Sequence, residues 1–266
     1  MKRSVATFTR IAAIATSITV VGTHSSAVSA ERSSSPVART EFATLTLLAE
    51  TPTAHGLVRG ALKIELEPGW KTYWLDPGPS GIPPQIDFSR TEGVGESAIL
   101  APLPERFGED LARANGYKSD LSLPFLLTPG ENETISGAIF ANVFLGVCES
   151  ICVPVQAELS ATFDRAGDVQ AAFSNLPTQV KPTDLTASID GDALILGLRA
   201  GSDVADAFVL GPDGWYFGEA ELSEYGEGTT TFRIPIDERP KDAETPVLTA
   251  VFDDGEKGLT AVFRPE

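Results

Sequence analysis

From residue 43 onward this chain is written in short runs rich in Val, Ile, Leu, Phe and Thr, each broken by Gly, Pro or Asp. Examples are 43-ATLTLLAE-50, 57-LVRGALKIEL-66, 121-LSLPFLLT-128 and 134-TISGAIFANVFLG-146. Runs of this length and composition between turn residues read as β-strands. A helical period is almost absent: 168-DVQAAFSNL-176 makes two or three turns at most. Later turn signals fall at 190-DGD-192, 211-GPDG-214 and 253-DDGEKG-258, where Gly and Asp supply hairpin geometry. The pattern predicts an all-β chain of two antiparallel sandwiches, residues 40–165 and 184–266. Residues 166–183 form a linker between them, and 31–39 are a loose polar segment.

The first thirty residues predict the compartment. Lys2, Arg3 and Arg10 precede the apolar run 11-IAAIATSITVVG-22, and 27-AVSA-30 ends in small residues. This is the layout of a secretory signal peptide cut after Ala30. The run is too short for a spanning helix, which needs about 20 apolar residues. The mature chain is therefore expected to be exported, with no insertion into the membrane, to a compartment where disulfides form and persist. Loss of residues 1–30 removes three basic and no acidic residues, leaving 17 basic against 37 acidic. A surface so acidic repels nucleic acid and anionic lipid.

Subtraction removes several chemistries. Met1 and His24 lie in the signal, so His55 is the only mature histidine. A Met-rich copper site and a His-rich zinc site are excluded, and a Ser–His–acid triad has no G-x-S-x-G elbow to build on. No phosphate loop or dinucleotide fingerprint is present. No cofactor and no metal are expected.

What remains is one cysteine pair, Cys148 and Cys152, in 144-FLGVCESICVPVQAEL-159. In an extended strand residues four apart lie roughly 13 Å apart at about 3.3 Å each, whereas a disulfide needs Cα atoms within about 4.4–6.8 Å. A bonded pair therefore requires the chain to reverse. Val147, Ile151, Val153, Val155 and Pro154 disfavour a helix, so a tight hairpin with Glu149, Ser150 and Ile151 at its tip is the expected geometry. Closing so short a loop contributes only about 2 kcal/mol, and a chain of this size builds cores without staples. Such a pair is better placed to carry two electrons than to hold a fold. A structural staple within a binding or adaptor protein, and a weak Cu(I)–thiolate site, stay open as alternatives. No Lys or Arg lies between Lys118 and Arg165, while Glu149 adjoins Cys148. The reduced thiols are therefore expected not to be strongly acidic.

Three strings occur in order: 68-PGWKTYWLDPGPSGIPPQIDF-88, 116-GYKSDLSLPFLL-127 and 147-VCESICVP-154. Together they resemble the N-terminal periplasmic domain of the DsbD thiol:disulfide interchange family, and its ScsB-type branch in particular, over about residues 40–165. Residues 184–266 resemble the second β-domain of that branch. The resemblance implies immunoglobulin-like sandwiches and a protein thiol–disulfide oxidoreductase of the disulfide-reductase type, in which Cys148 and Cys152 are the catalytic pair. It implies redox partner proteins: a membrane electron donor and oxidised periplasmic clients. The family's membrane channel and thioredoxin-like domain do not follow in this sequence, so a separate protein is expected to supply the electrons. A cap shields the pair in the family; here 104-PERFGEDLARAN-115 corresponds, with Phe107 over the sulfurs and Tyr117 and Trp74 as further shielding residues. The aromatic and proline-rich stretch 68–88 reads either as a rigid loop over the core or as an aromatic cover for a site.

Overall fold

The computed structural model describes residues 35–109, 113–199, 204–226, 228–241 and 244–266; the signal-peptide reading of residues 1–30 lies outside them. Twenty strands, β1 to β20 in chain order, and one α-helix make up most of the described chain. The first eleven strands form two facing sheets. One has the order β1 (Val37–Arg39), β2 (Ala43–Ala49), β3 (Val58–Leu66), β9 (Leu121–Pro129), β6 (Val94–Ile99). The other has the order β11 (Cys152–Ala161), β10 (Ile139–Cys148), β4 (Lys71–Tyr73), β8 (Ala114–Tyr117), β7 (Glu105–Phe107), with β5 (Gln85–Asp87) also on β10. Val37–Arg39, within the stretch expected to be loose, pair antiparallel with Thr44–Thr46.

The inward faces interlock in one apolar layer. Leu45 and Leu47 of β2, Leu62 and Ile64 of β3, and Leu123, Phe125 and Leu127 of β9 meet Val143, Leu145 and Val147 of β10. The spacing of two along each strand is the strand period, which puts alternate side chains on one face. The helix α1 (Ala166–Ser174) lies on the outside of the first sheet and buries Val169 and Ala172 against Leu48 and Ala61. Its chemistry agrees with the short helical signal at 168–176.

A second pair of sheets follows. β12 (Thr178–Gln179), β20 (Leu259–Phe263), β19 (Leu248–Asp253) and β15 (Asp206–Leu210) form one. β13 (Leu185–Asp190), β14 (Ala193–Leu198), β18 (Thr229–Glu238) and β16 (Tyr216–Phe217) form the other, with β17 (Glu221–Gly226) on β18. Their core holds Leu194, Leu196, Phe232, Ile234, Ala250 and Phe252. Gly191 turns β13 into β14 at φ +60°, a conformation that costs glycine little. Among the described residues all pairings are antiparallel except β12 on β20. The chemistry of the sequence thus yields an all-β fold of packed antiparallel sheets.

The two pairs of sheets meet through a cluster of Trp74, Tyr117, Phe208 and Val251 and through ion pairs Arg106–Asp206 and Arg113–Glu219, each 2.7 Å. Among the described residues no helix is long and apolar enough to cross a membrane.

Candidate functional site

Parity sets the site. Strands β10 and β11 pair from Ile139↔Ala161 to Cys148↔Cys152. Odd-numbered Ile139, Ala141, Val143, Leu145 and Val147 turn into the core, as do Val155, Ala157, Leu159 and Ala161 across the hairpin. Successive strand residues face opposite ways, so even-numbered Cys148 and Cys152 stand on the outer face beside Gly146. Their Cα atoms are 4.1 Å apart and a disulfide joins them. Glu149, Ser150 and Ile151 form the tip, where the Glu149 N–H donates to the Ile151 carbonyl at 3.3 Å. Cys152 is exposed, Cys148 half-buried, and Ile151 projects with 73% of its surface free.

Strand β4 arrives from far away in sequence and lies beside the cysteines. Thr72 pairs with Val147 and Lys71 with Cys148. Thr72 points inward, and its hydroxyl donates to the Gly146 carbonyl at 2.8 Å. Lys71 and Tyr73 therefore point outward, to the side of the sulfurs. The Tyr73 ring packs against Gly146, where a Cβ would stand 2.9 Å from its Cε2. The ring's hydroxyl reaches Cys152 Sγ at 3.0 Å. A disulfide sulfur has no hydrogen, so the phenol is the donor. Burial pushes the Tyr73 phenol above its ordinary value of 10, which keeps that proton in place at neutral pH.

A second layer covers Tyr73. The Phe107 ring of β7 sits 5.9 Å from it, centroid to centroid, with Lys71 Nζ 5.7 Å above Phe107. On the other flank the proline-rich segment folds over: a Cβ on Gly81 would meet Tyr73 Cδ1 at 2.8 Å, and the Ile82 carbonyl accepts the Gly146 N–H at 3.3 Å. Part of the stretch 68–88 thus packs on Tyr73 and Gly146, beside the cysteine pair.

Of the residues singled out from sequence, Cys148 and Cys152 come together, and Phe107 lies one aromatic ring away from them. Trp74 and Tyr117 sit elsewhere. They pack with Phe208 and Val251 where the two pairs of sheets meet. The Tyr117 hydroxyl donates to the Pro102 carbonyl at 2.9 Å, and burial holds its phenol well above 10. The reason is again parity: Trp74 follows Tyr73 and turns to the other side. Sequence reasoning missed Tyr73 and Lys71, though both stand in the run 70-WKTYW-74. Reading that run with period two would have separated the pair Lys71/Tyr73 from Thr72/Trp74.

Lys71 bears on the expectation that the reduced thiols are not strongly acidic. No cation is near in sequence, yet the fold places one directly across the ladder from Cys148. A neighbouring ammonium favours a thiolate. Replacing Lys71 by Met is expected to slow iodoacetamide alkylation of the reduced protein several-fold at pH 7, and to leave it unchanged where both thiols are fully ionised. Equal rates at pH 7 would show that Lys71 does not reach the sulfurs.

The hairpin does not depend on its disulfide. Ten residue pairs and an apolar inner face hold β10 to β11. The double variant Cys148→Ser/Cys152→Ser is expected to fold, with a loss of about 2 kcal/mol from the short closed loop. Denaturant unfolding measures it; a variant with no cooperative transition would make the pair a structural staple.

Residues 45–164 match the family model described as thiol:disulfide interchange protein DsbD, N-terminal. The crystal structure of the N-terminal periplasmic domain of ScsB from Proteus mirabilis superposes with a TM-score of 0.67 at 19% sequence identity, over 85% of this chain and 94% of that one. Identity this low carries the fold alone, and the fold is the immunoglobulin-like sandwich expected from the sequence. None of the curated proteins matches the chain. The match to the DsbD N-terminal family model thus spans residues 45–164, and the cysteine hairpin lies inside it.

Proposed function

We propose that this DsbD-type region is a periplasmic thiol:disulfide interchange module, passing electrons between partner proteins through Cys148 and Cys152. The observation that carries the reading is the disulfide's position: at an exposed hairpin tip on the outer face, with a hydroxyl donor on one sulfur and a lysine beside the other.

The chemistry follows from that asymmetry. A partner thiolate approaches the exposed Cys152 and attacks its Sγ. The Cys148–Cys152 bond breaks, and Cys148 leaves as a thiolate opposite Lys71. A mixed disulfide now joins the partner to Cys152. The partner's second thiolate attacks its own sulfur in that bond and releases Cys152 as a thiolate, to which the Tyr73 hydroxyl donates. The partner dithiol becomes a disulfide, and the pair takes up two electrons. The two protons given up by the partner's thiols reach Cys148 and Cys152 through solvent. An oxidised client reverses the sequence and receives the electrons.

Single-cysteine variants test this. Cys148→Ser keeps the exposed sulfur and is expected to accumulate mixed disulfides in a periplasmic extract, while Cys152→Ser accumulates few. A stronger yield from Cys152→Ser would move the attack to Cys148. No mixed disulfide from either, together with a potential below about −300 mV, would make the bond a stable structural one.

A further inference from the structure

The aromatic layer over Tyr73 does not hold itself. Strand β7 is three residues long and sits at the edge of its sheet, paired among the described residues only with β8. So short an edge strand is drawn from the least stable part of a fold. Its two end residues face one way. Glu105 binds Lys118, with Nζ to Oε2 at 2.6 Å, and Phe107 lies on Tyr73. The middle residue, Arg106, faces the other way, toward the second pair of sheets.

Arg106 makes four side-chain hydrogen bonds in that junction. Its Nε donates to Asp206 Oδ2 at 2.7 Å and its Nη2 to Asp206 Oδ1 at 3.1 Å. Nη2 also donates to the Ala207 carbonyl at 3.0 Å, and Nη1 to Asn115 Oδ1 at 3.0 Å. The guanidinium carbon stands 4.4 Å from the centre of the Phe208 ring. This is a bidentate fork on a carboxylate, the geometry in which arginine binds most strongly, and the pair is mostly out of solvent. Asn115 carries the connection further. Its Nδ2 donates to the Asp76 carbonyl and its backbone N–H to the Pro77 carbonyl, both at 3.0 Å. Those two residues begin the proline-rich segment that closes over Tyr73 from the other flank.

One side chain thus ties both covering elements, β7 with Phe107 and the segment from Asp76, to the first residues of β15. We propose that Arg106 is a positioning residue: held by Asp206, it braces the aromatic layer over Tyr73, so that the second pair of sheets sets how firmly the Tyr73 ring and hydroxyl stay against Cys152 Sγ and how readily a thiol displaces them. The proposal rests on the exchange function above for its purpose but not for its measurement.

The test uses the whole protein and dithiothreitol, whose two thiolates reduce the Cys148–Cys152 bond and close to their own cyclic disulfide. Reduction is followed by trapping free thiols at intervals, and the potential is measured in the same buffer. Arg106→Ala and Asp206→Ala are each expected to react about fivefold faster than the parent, as a cover loosened by one charge-assisted contact would allow. The potential is expected not to move, because a cover slows both directions alike. The double variant is expected to be no faster than either single one, since both break the same contact. Asp206→Asn and Arg106→Lys serve if an alanine variant fails to fold. Glu219→Gln, which breaks the Arg113 pair at the same junction without touching β7, is expected to react like the parent. Parent-like rates in every folded Arg106 and Asp206 variant would overturn the brace. So would a Glu219→Gln variant equally fast, or rates that multiply in the double variant. A braced pair from which no partner is ever trapped would leave the brace standing and remove the exchange function; a trapped partner with unchanged rates would do the reverse.

Discussion

Gly116→Ala is expected to destabilise the protein by about 3 kcal/mol, at the upper end of what overpacking one methyl costs. Gly116 of β8 is the cross-strand partner of Tyr73. A methyl added there falls on the Thr72 carbonyl oxygen and within 2.8 Å of Tyr73 Cα, with Phe107 Cε1 at 3.0 Å. Two of these three atoms are backbone and cannot swing aside, so β4 and β8 must part. The parting moves Tyr73, whose hydroxyl bonds Cys152, and Phe107, which covers Tyr73. Reduction of the disulfide by dithiothreitol should therefore speed up in the same variant. Gly146→Ala provides the contrast. Its added methyl meets Ile82 Cβ at 2.7 Å and Tyr73 Cε2 at 2.9 Å, with no main-chain atom among the nearest three. It is expected to cost about 1 kcal/mol, near the lower end of the same range, while still pushing Tyr73 from the sulfur. Urea unfolding separates the two costs. Equal stability of Gly116→Ala and the parent would mean that β4 and β8 are not held as closely as the Thr72–Tyr117 and Tyr73–Gly116 pairs require.

That contrast marks where the sequence is readable. Strand existence follows from local chemistry: β-branched and aromatic runs, with Gly, Pro and Asp between them. The hairpin at Cys148–Cys152 is readable for the same reason, since a three-residue turn fixes its own register. The neighbours of the cysteines across the sheet are another matter. Lys71 and Tyr73 lie more than 70 positions from the sulfurs, and nothing in 68–74 states that β4 will dock on the end of β10. Such pairings are settled by burial of whole faces, with Thr72 going in beside Val147, and they bring outward residues together as a consequence. Phe107 was found by analogy with a capping segment, but its partner is a tyrosine ring between it and the sulfurs. Trp74, expected as a further shielding residue from the same resemblance, packs instead with Phe208 and Val251. The acidic composition also concealed Lys71, because charge counted along the chain carries no information about charge across a ladder.

Trp74 has a different part to play, and its removal should be the costliest single truncation at the junction of the two pairs of sheets. It is 2% exposed and meets Phe208 edge-on at 5.8 Å between centroids, within a cluster that includes Tyr117 and Val251. Trp74→Ala is expected to cost about 3–5 kcal/mol, the range for deleting a buried aromatic side chain. Its indole N–H has no hydrogen-bond partner among the described residues. A buried donor without a partner gives up its hydration for nothing, so the ring's apolar surface, not its nitrogen, accounts for the stabilisation. Trp74→Phe should therefore recover most of the loss, limited by the smaller ring's poorer filling of the site. Because the cluster joins the two pairs of sheets, Trp74→Ala should also split thermal unfolding into two transitions, the signature of sheets that no longer melt as a unit. Calorimetry reads both effects. A single transition at the parent temperature in Trp74→Ala would mean that the Trp74 ring adds nothing to the union. If Trp74→Phe were as damaging as Trp74→Ala, the indole nitrogen must hold a contact that matters more than the ring.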